Sequence, residues 1–279
     1  MHASSEFSSR TVDRRTFLKL GGAAFTATAA WAQSARATGT EERADLTAVF
    51  REHGATGTFV LYDPAADHTI TVNSDRAAQR YVPASTFKIT NSLIALETGA
   101  VRDENEIIPY GGKPQPIKAW ERDMPMREGI TISNVPVYQE IARRVGLARY
   151  REWLARLNYG NAQTGDVVDR FWLDGPLEIS AMEQTRFLAA LAQQKLPASA
   201  RSQTIVRDIV RLEASGGATL YGKTGWQFSS TPQLGWWVGW VERNGKPMTF
   251  ALNMDMGSDA DASKRIAIGK AMLSRLGVY

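Results

Sequence analysis

Two kinds of hydrophobic spacing divide the chain, and their order along it most narrows the fold. Residues 58–62 and 69–72 are short β-branched and apolar runs parted by Asp63-Pro64, which predicts two strands and a turn. From 85 to 97 the spacing changes: Phe87, Ile89, Leu93, Ile94 and Leu96 fall among good helix formers and predict a largely buried helix. Residues 100–135 are irregular and rich in Pro and Gly. Val137, Ile141, Val145 and Leu147 then mark an amphipathic helix, and 150–157, 182–194 and 202–212 add helical stretches. Beyond Gly217 strand spacing returns at 219–224, 235–241 and 248–254, with Asn244-Gly245 as a hairpin turn, before a last helix at 262–276. Strands from both ends around a helical middle predict an α+β fold. Its antiparallel sheet is flanked by helices and carries an inserted helical domain over about 100–215. A site is expected where insert and sheet meet.

The first 37 residues read as an export signal. Asp13-Arg14-Arg15-Thr16-Phe17-Leu18-Lys19 leads into a small, apolar stretch from Leu20 to Ala30, followed by the small-x-small patterns Ala30-Trp31-Ala32 and Ala35-Arg36-Ala37. The paired arginines and the Phe-Leu-Lys after them favour a twin-arginine signal over an ordinary secretory leader. The mature chain then starts near Gln33 or Thr38, and 38–279 form one unit. No later apolar run reaches the roughly 20 residues of a membrane span, so an exported, periplasmic product is expected.

The leader also accounts for most of the charge. The net charge is +4, and Arg10, Arg14, Arg15, Lys19 and Arg36 stand against only Glu6 and Asp13. The rest is nearly neutral and has no basic run interleaved with aromatics, which argues against nucleic acid as a partner. With no Cys, thiolate nucleophiles, disulfides and Cys-ligated metals are excluded. His2, His53 and His68 are too scattered for a histidine metal site, so no metal is expected and the general base is not histidine; His53 and His68 read as surface-loop residues. Trp236, Trp237 and Trp240 read as sheet packing.

Three short segments carry chemistry. Ser85-Thr86-Phe87-Lys88 opens the first helix, where positions i and i+3 share a face and the hydroxyl meets the amine. A nucleophile there has free backbone N–H groups nearby for an oxyanion. Ser133-Asn134-Val135 precedes a helix, and Lys223-Thr224-Gly225 ends a strand. In this order and context they resemble the penicillin-recognising serine enzymes. From about Gly57 onward the chain is similar to the class D serine β-lactamases, the oxacillinases. Pro83-Ala84, Trp120-Glu121-Arg122-Asp123, Val135-Pro136-Val137-Tyr138-Gln139, Tyr159-Gly160-Asn161, Phe171-Trp172-Leu173 and Gly235-Trp236-Trp237-Val238-Gly239-Trp240 carry the likeness, and Val135 replaces the Asn of class A enzymes.

The resemblance implies hydrolysis of a small-molecule β-lactam through an acyl-enzyme at Ser85. It implies no cofactor beyond the carbon dioxide that N-carboxylates Lys88, the general base. Val135, Phe87, Trp172 and Leu173 suit a dry pocket, and desolvation lowers a lysine pKa toward the neutral amine that adds carbon dioxide. Trp172 is either a core residue or an indole donor to the carbamate. Ser133 relays a proton between the β-lactam nitrogen and Lys88 or Lys223. Lys223, Thr224 and Arg265 meet the substrate carboxylate, with Lys264 the alternative to Arg265. Gly225 admits a close approach, and the backbone N–H groups of Ser85 and Trp226 form the oxyanion hole, while the Trp226 side chain and Trp120 shape the rim. Tyr159-Gly160-Asn161 supports the site or is structural. The alternatives are a penicillin sensor that stays acylated and a cell-wall transpeptidase.

Overall fold

The computed structural model describes residues 39–279; the leader over 1–37 and the proposed cut sites lie outside them. Seven strands form the main sheet: β1 (Gly39–Glu42), β2 (Gly57–Asp63), β3 (His68–Val72), β4 (Arg211–Ser215), β5 (Ala218–Gln227), β6 (Gln233–Arg243) and β7 (Lys246–Met256). Their spatial order is β1-β3-β2-β7-β6-β5-β4, so strands from the two ends of the chain meet where β2 pairs antiparallel with β7. The β6–β7 hairpin turns at Asn244 and Gly245, both with positive φ, the backbone a two-residue turn requires.

Side-chain alternation gives the sheet two buried faces. Phe59, Leu61, Trp237, Phe250 and Leu252 pack with Phe50, Ile268 and Met272 of the Thr47–Glu52 and Lys264–Arg275 helices. Val60, Trp236, Val238, Trp240 and Ala251 face the other way, into a cluster with the Ala181–Ala192 helix and the helical middle of the chain. At the centre of that cluster lies the Lys88–Glu97 helix, buried from Lys88 through Leu96.

The two edge strands depart from the sequence reading. Arg211–Ser215 is a strand, not the end of a helix, because the preceding helix stops at Ile209 and Gly216-Gly217 turn the chain back onto β5. At the opposite edge β1 pairs parallel with β3, and Glu42 fastens it by accepting from Thr71 Oγ1 (2.6 Å) and Asn73 N (2.7 Å). The sheet is therefore antiparallel except at that edge. His68 opens β3 instead of lying in a loop, and His53 closes the Thr47–Glu52 helix with Nδ1 2.9 Å from Val49 O.

Candidate active site

Ser85 sits in a tight turn, Ala84–Phe87, that runs directly into the Lys88–Glu97 helix. The i, i+3 spacing brings Lys88 Nζ to 2.8 Å from Ser85 Oγ. Lys88 is completely buried. Burial holds its pKa well below that of an exposed lysine, and the neighbouring charge of Lys223 lowers it further. The Tyr138 ring, its centroid 5.3 Å from Nζ, adds an apolar wall beside the amine. The sequence does not mark Tyr138 as a site residue beyond its motif, since an aromatic at helical spacing looks like ordinary core.

Ser133 occupies a turn with φ +58 just before the Val135–Val145 helix. Asn134 caps that helix by accepting from Val137 N at 3.0 Å, and its Nδ2 donates to Trp120 O at 3.3 Å. Trp120 in turn donates from Nε1 to Ile132 O at 3.1 Å, so the Trp120 loop and the Ser133 turn are tied together. Across from them β5 supplies Lys223, whose Nζ is 3.0 Å from both Ser133 Oγ and Thr224 O. Burial and then the charge of Arg265 lower the Lys223 pKa to about 7.

These groups open onto a cleft of about 810 Å³ whose wall includes Ser85, Trp120, Ser133, Val135, Thr224, Gly225, Trp226, Leu173 and Arg265. Lys88 and Lys223 stand one layer deeper, touching Ser85 and Ser133. Gly225 allows β5 to approach the Ser85 turn: a Cβ there would lie 3.0 Å from both Pro83 O and Thr86 Cγ2. Arg265 donates from Nη1 to Gly225 O at 2.6 Å and lies over the Trp226 ring, 5.4 Å from its centroid. Burial pulls its pKa down to about 10. The adjacent Lys264 is instead paired with Asp261 at 2.7 Å. Trp226 stacks on Phe228 at 4.7 Å along the rim.

Trp172 is fully buried against Phe87 and Phe171, at 5.6 and 5.0 Å between ring centroids. Its Nε1 has no hydrogen-bond partner among the described residues. The following loop is fastened by Asn161, which donates to Pro176 O (2.8 Å) and accepts from Glu178 N (3.1 Å). Gly160 has φ +53, and a Cβ on it would fall 2.0 Å from Glu178 O, so Gly160-Asn161 clamps the Trp172 loop, while the Tyr159 ring packs edge-on against Phe87 at 5.6 Å between centroids. Arg170 and Asp174 form an ion pair on the cleft wall that the sequence does not announce, because charges four apart on a loop carry no signal of a site. Among the described residues no three or more His, Cys, Asp or Glu side chains gather as a metal site, and no helix is long and apolar enough to cross a membrane.

A model of the penicillin-binding-protein transpeptidase domain matches residues 38–274. β-Lactamase OXA-5 of Pseudomonas aeruginosa is 41% identical over 82% of this chain and 87% of its own length. β-Lactamase OXA-48 of Klebsiella pneumoniae is 43% identical over 84% of this chain and 89% of its own. Among solved structures, the class D β-lactamase FUS-1 (OXA-85) of Fusobacterium nucleatum subsp. polymorphum superposes with a TM-score of 0.82 at 40% identity, covering 85% of this chain and 99% of that one. With the S-x-x-K, S-x-V and K-T-G segments converging on one cleft of the same fold, the chain belongs to the class D β-lactamases.

Proposed function

We propose that this protein hydrolyses the β-lactam amide of penicillin-type antibiotics through an acyl-enzyme on Ser85, with N-carboxylated Lys88 as general base. The contact that carries the reading is Ser85 Oγ at 2.8 Å from the amine of a fully buried lysine, on a cleft that also presents the Ser133–Lys223 pair.

Ser85 Oγ attacks the lactam carbonyl carbon and gives up its proton as the new ester bond forms. The backbone N–H groups of Ser85 and Trp226 receive the charge that develops on the carbonyl oxygen. When the C–N bond breaks, Ser133 passes a proton to the leaving nitrogen and is reprotonated from the side of Lys88 or Lys223. Lys223, Thr224 and Arg265 hold the substrate carboxylate, with Trp120, Val135 and Trp226 bounding the space around it. Two observations fit a carbamate on Lys88: burial lowers the pKa of its amine, which favours the neutral form that adds carbon dioxide, and the buried Trp172 N–H lacks an acceptor among the described residues. Carbon dioxide bound there supplies an anion that accepts the proton of Ser85 and later that of the deacylating water. Residues 1–37 act as a twin-arginine leader that exports the folded chain to the periplasm; a cut at Thr38 or earlier leaves β1 whole.

Mass spectrometry after mixing with a penicillin tests the reading. A transient adduct of one equivalent on the Ser85 peptide, with hydrolysed product accumulating, is expected. An adduct that persists for hours without turnover would instead make the protein a penicillin sensor.

The Lys223 pKa of about 7 gives a pH signature. Its ammonium faces the substrate carboxylate, so kcat/KM, which reports the free enzyme, is expected to fall as pH rises above about 7. Lys223→Arg keeps its charge at these pH values and is expected to move that limb upward. An unchanged alkaline limb would detach it from Lys223.

A further inference from the structure

The residue before the nucleophile is strained. Ala84 is fully buried and has φ +48, a conformation that costs any residue with a Cβ. Nothing local demands it, since alanine has no polar group to satisfy by adopting it. The surrounding structure must therefore impose it.

Two side chains grip the turn from opposite elements. From β6, the indole Nε1 of Trp236 donates to Val82 O at 3.0 Å, just upstream of Pro83. From the Ala181–Ala192 helix, Gln184 Nε2 donates to Thr86 Oγ1 at 3.0 Å, and that hydroxyl donates to Pro83 O at 2.7 Å. One tether thus holds the entrance to the turn and the other spans it. Both lie in fully buried surroundings where water cannot substitute for them.

We propose that Trp236 and Gln184 are positioning residues for the nucleophile: they hold the turn in its strained form and so keep Ser85 Oγ against Lys88. This rests on the assignment of Ser85 as nucleophile. Their hydrogen bonds go to Val82 O and Thr86 Oγ1 and not to Ser85 or Lys88, so each acts through the turn around Ala84.

The test uses the strain itself. Glycine adopts φ +48 without penalty, so a turn carrying Ala84→Gly has no drive to relax when a tether is lost. Trp236→Phe and Gln184→Met are each made with and without Ala84→Gly, and the single-turnover acylation rate is measured with a chromogenic penicillin at saturating bicarbonate. Each tether variant alone is expected to acylate roughly tenfold to a hundredfold more slowly, the size of effect a small misplacement of a reacting group produces. In the presence of Ala84→Gly the same tether loss is expected to cost about threefold or less, the glycine turn needing less restraint. The carbamate signal of Lys88 in carbon-13 bicarbonate NMR stays at the wild-type level throughout.

Equal losses with and without Ala84→Gly, or full acylation rates in both tether variants, overturn the proposal. A carbamate signal that falls in step with the rate also overturns it, because the tethers would then act through Lys88. If Trp236→Phe leaves too large a cavity to fold, Gln184→Met, which preserves side-chain length, decides alone. Failure of the parent assignment looks different: the wild-type protein would form no adduct on Ser85.

Discussion

Lys88→Met is expected to abolish turnover and, in bicarbonate-free buffer, to stabilise the fold. The Lys88 amine is completely buried, and its contacts are Ser85 Oγ and the face of the Tyr138 ring, neither of which carries a compensating charge. Burial therefore sets its folded-state pKa well below the ordinary 10.5. Between those two values the unfolded chain binds a proton that the folded chain does not, so stability rises with pH across that window. Below the window the cost of the buried lysine is felt in full. Methionine matches the length of the side chain without its charge, so a gain of about 1–3 kcal/mol is expected at acid and neutral pH, fading as pH approaches 10.5. Turnover moves the opposite way: Ser85 loses the group that takes its proton, a loss of roughly 10³-fold or more in kcat. Thermal melts across pH and steady-state kinetics check both halves. Activity within tenfold of wild type would remove Lys88 as the base, and an unaltered or lowered melting temperature at every pH would sink the account of its burial.

The parts of this fold that were legible in sequence are those fixed by short-range chemistry. Asn244-Gly245 announces its hairpin because two successive positive φ angles admit few other residues, and the apolar runs on either side settle which strands pair. Ser85 and Lys88 meet because three residues of helix bring them together. The edge strands Gly39–Glu42 and Arg211–Ser215 were hidden for the converse reason: every residue in them is exposed, so they have no apolar alternation and exist only through backbone pairing with β3 and β5. The Ser133–Lys223 contact joins residues ninety positions apart. No spacing rule reaches that far, and only the ordered motifs hinted at it. Tyr138, Gln184 and Trp236 were illegible as site residues because each sits in a pattern that core packing explains equally well; their significance lies in which backbone or amine they touch.

Trp172→Phe should lower kcat roughly 100-fold at ambient bicarbonate, and the loss should shrink as bicarbonate is raised. Trp172 packs on Phe87, the residue before Lys88, and its buried N–H has no partner among the described residues. A buried donor left unmade costs about 1–3 kcal/mol, whereas a hydrogen bond to an anion contributes about 1.5–3 kcal/mol. On the proposed mechanism Trp172 then penalises the bare amine and favours an anion on Lys88, and both terms push occupancy the same way. Phenylalanine keeps most of the ring and removes only this preference. The amine remains able to react, so mass action restores what the indole had supplied, and kcat climbs toward wild type along the bicarbonate titration. Lys88→Met cannot recover under any bicarbonate concentration, which separates loss of the base from loss of its support. Little stability should be lost in bicarbonate-free buffer, since deleting an orphaned donor offsets the smaller ring. Turnover equal to wild type at low bicarbonate, or a deficit that bicarbonate does not narrow, would make Trp172 a packing residue alone.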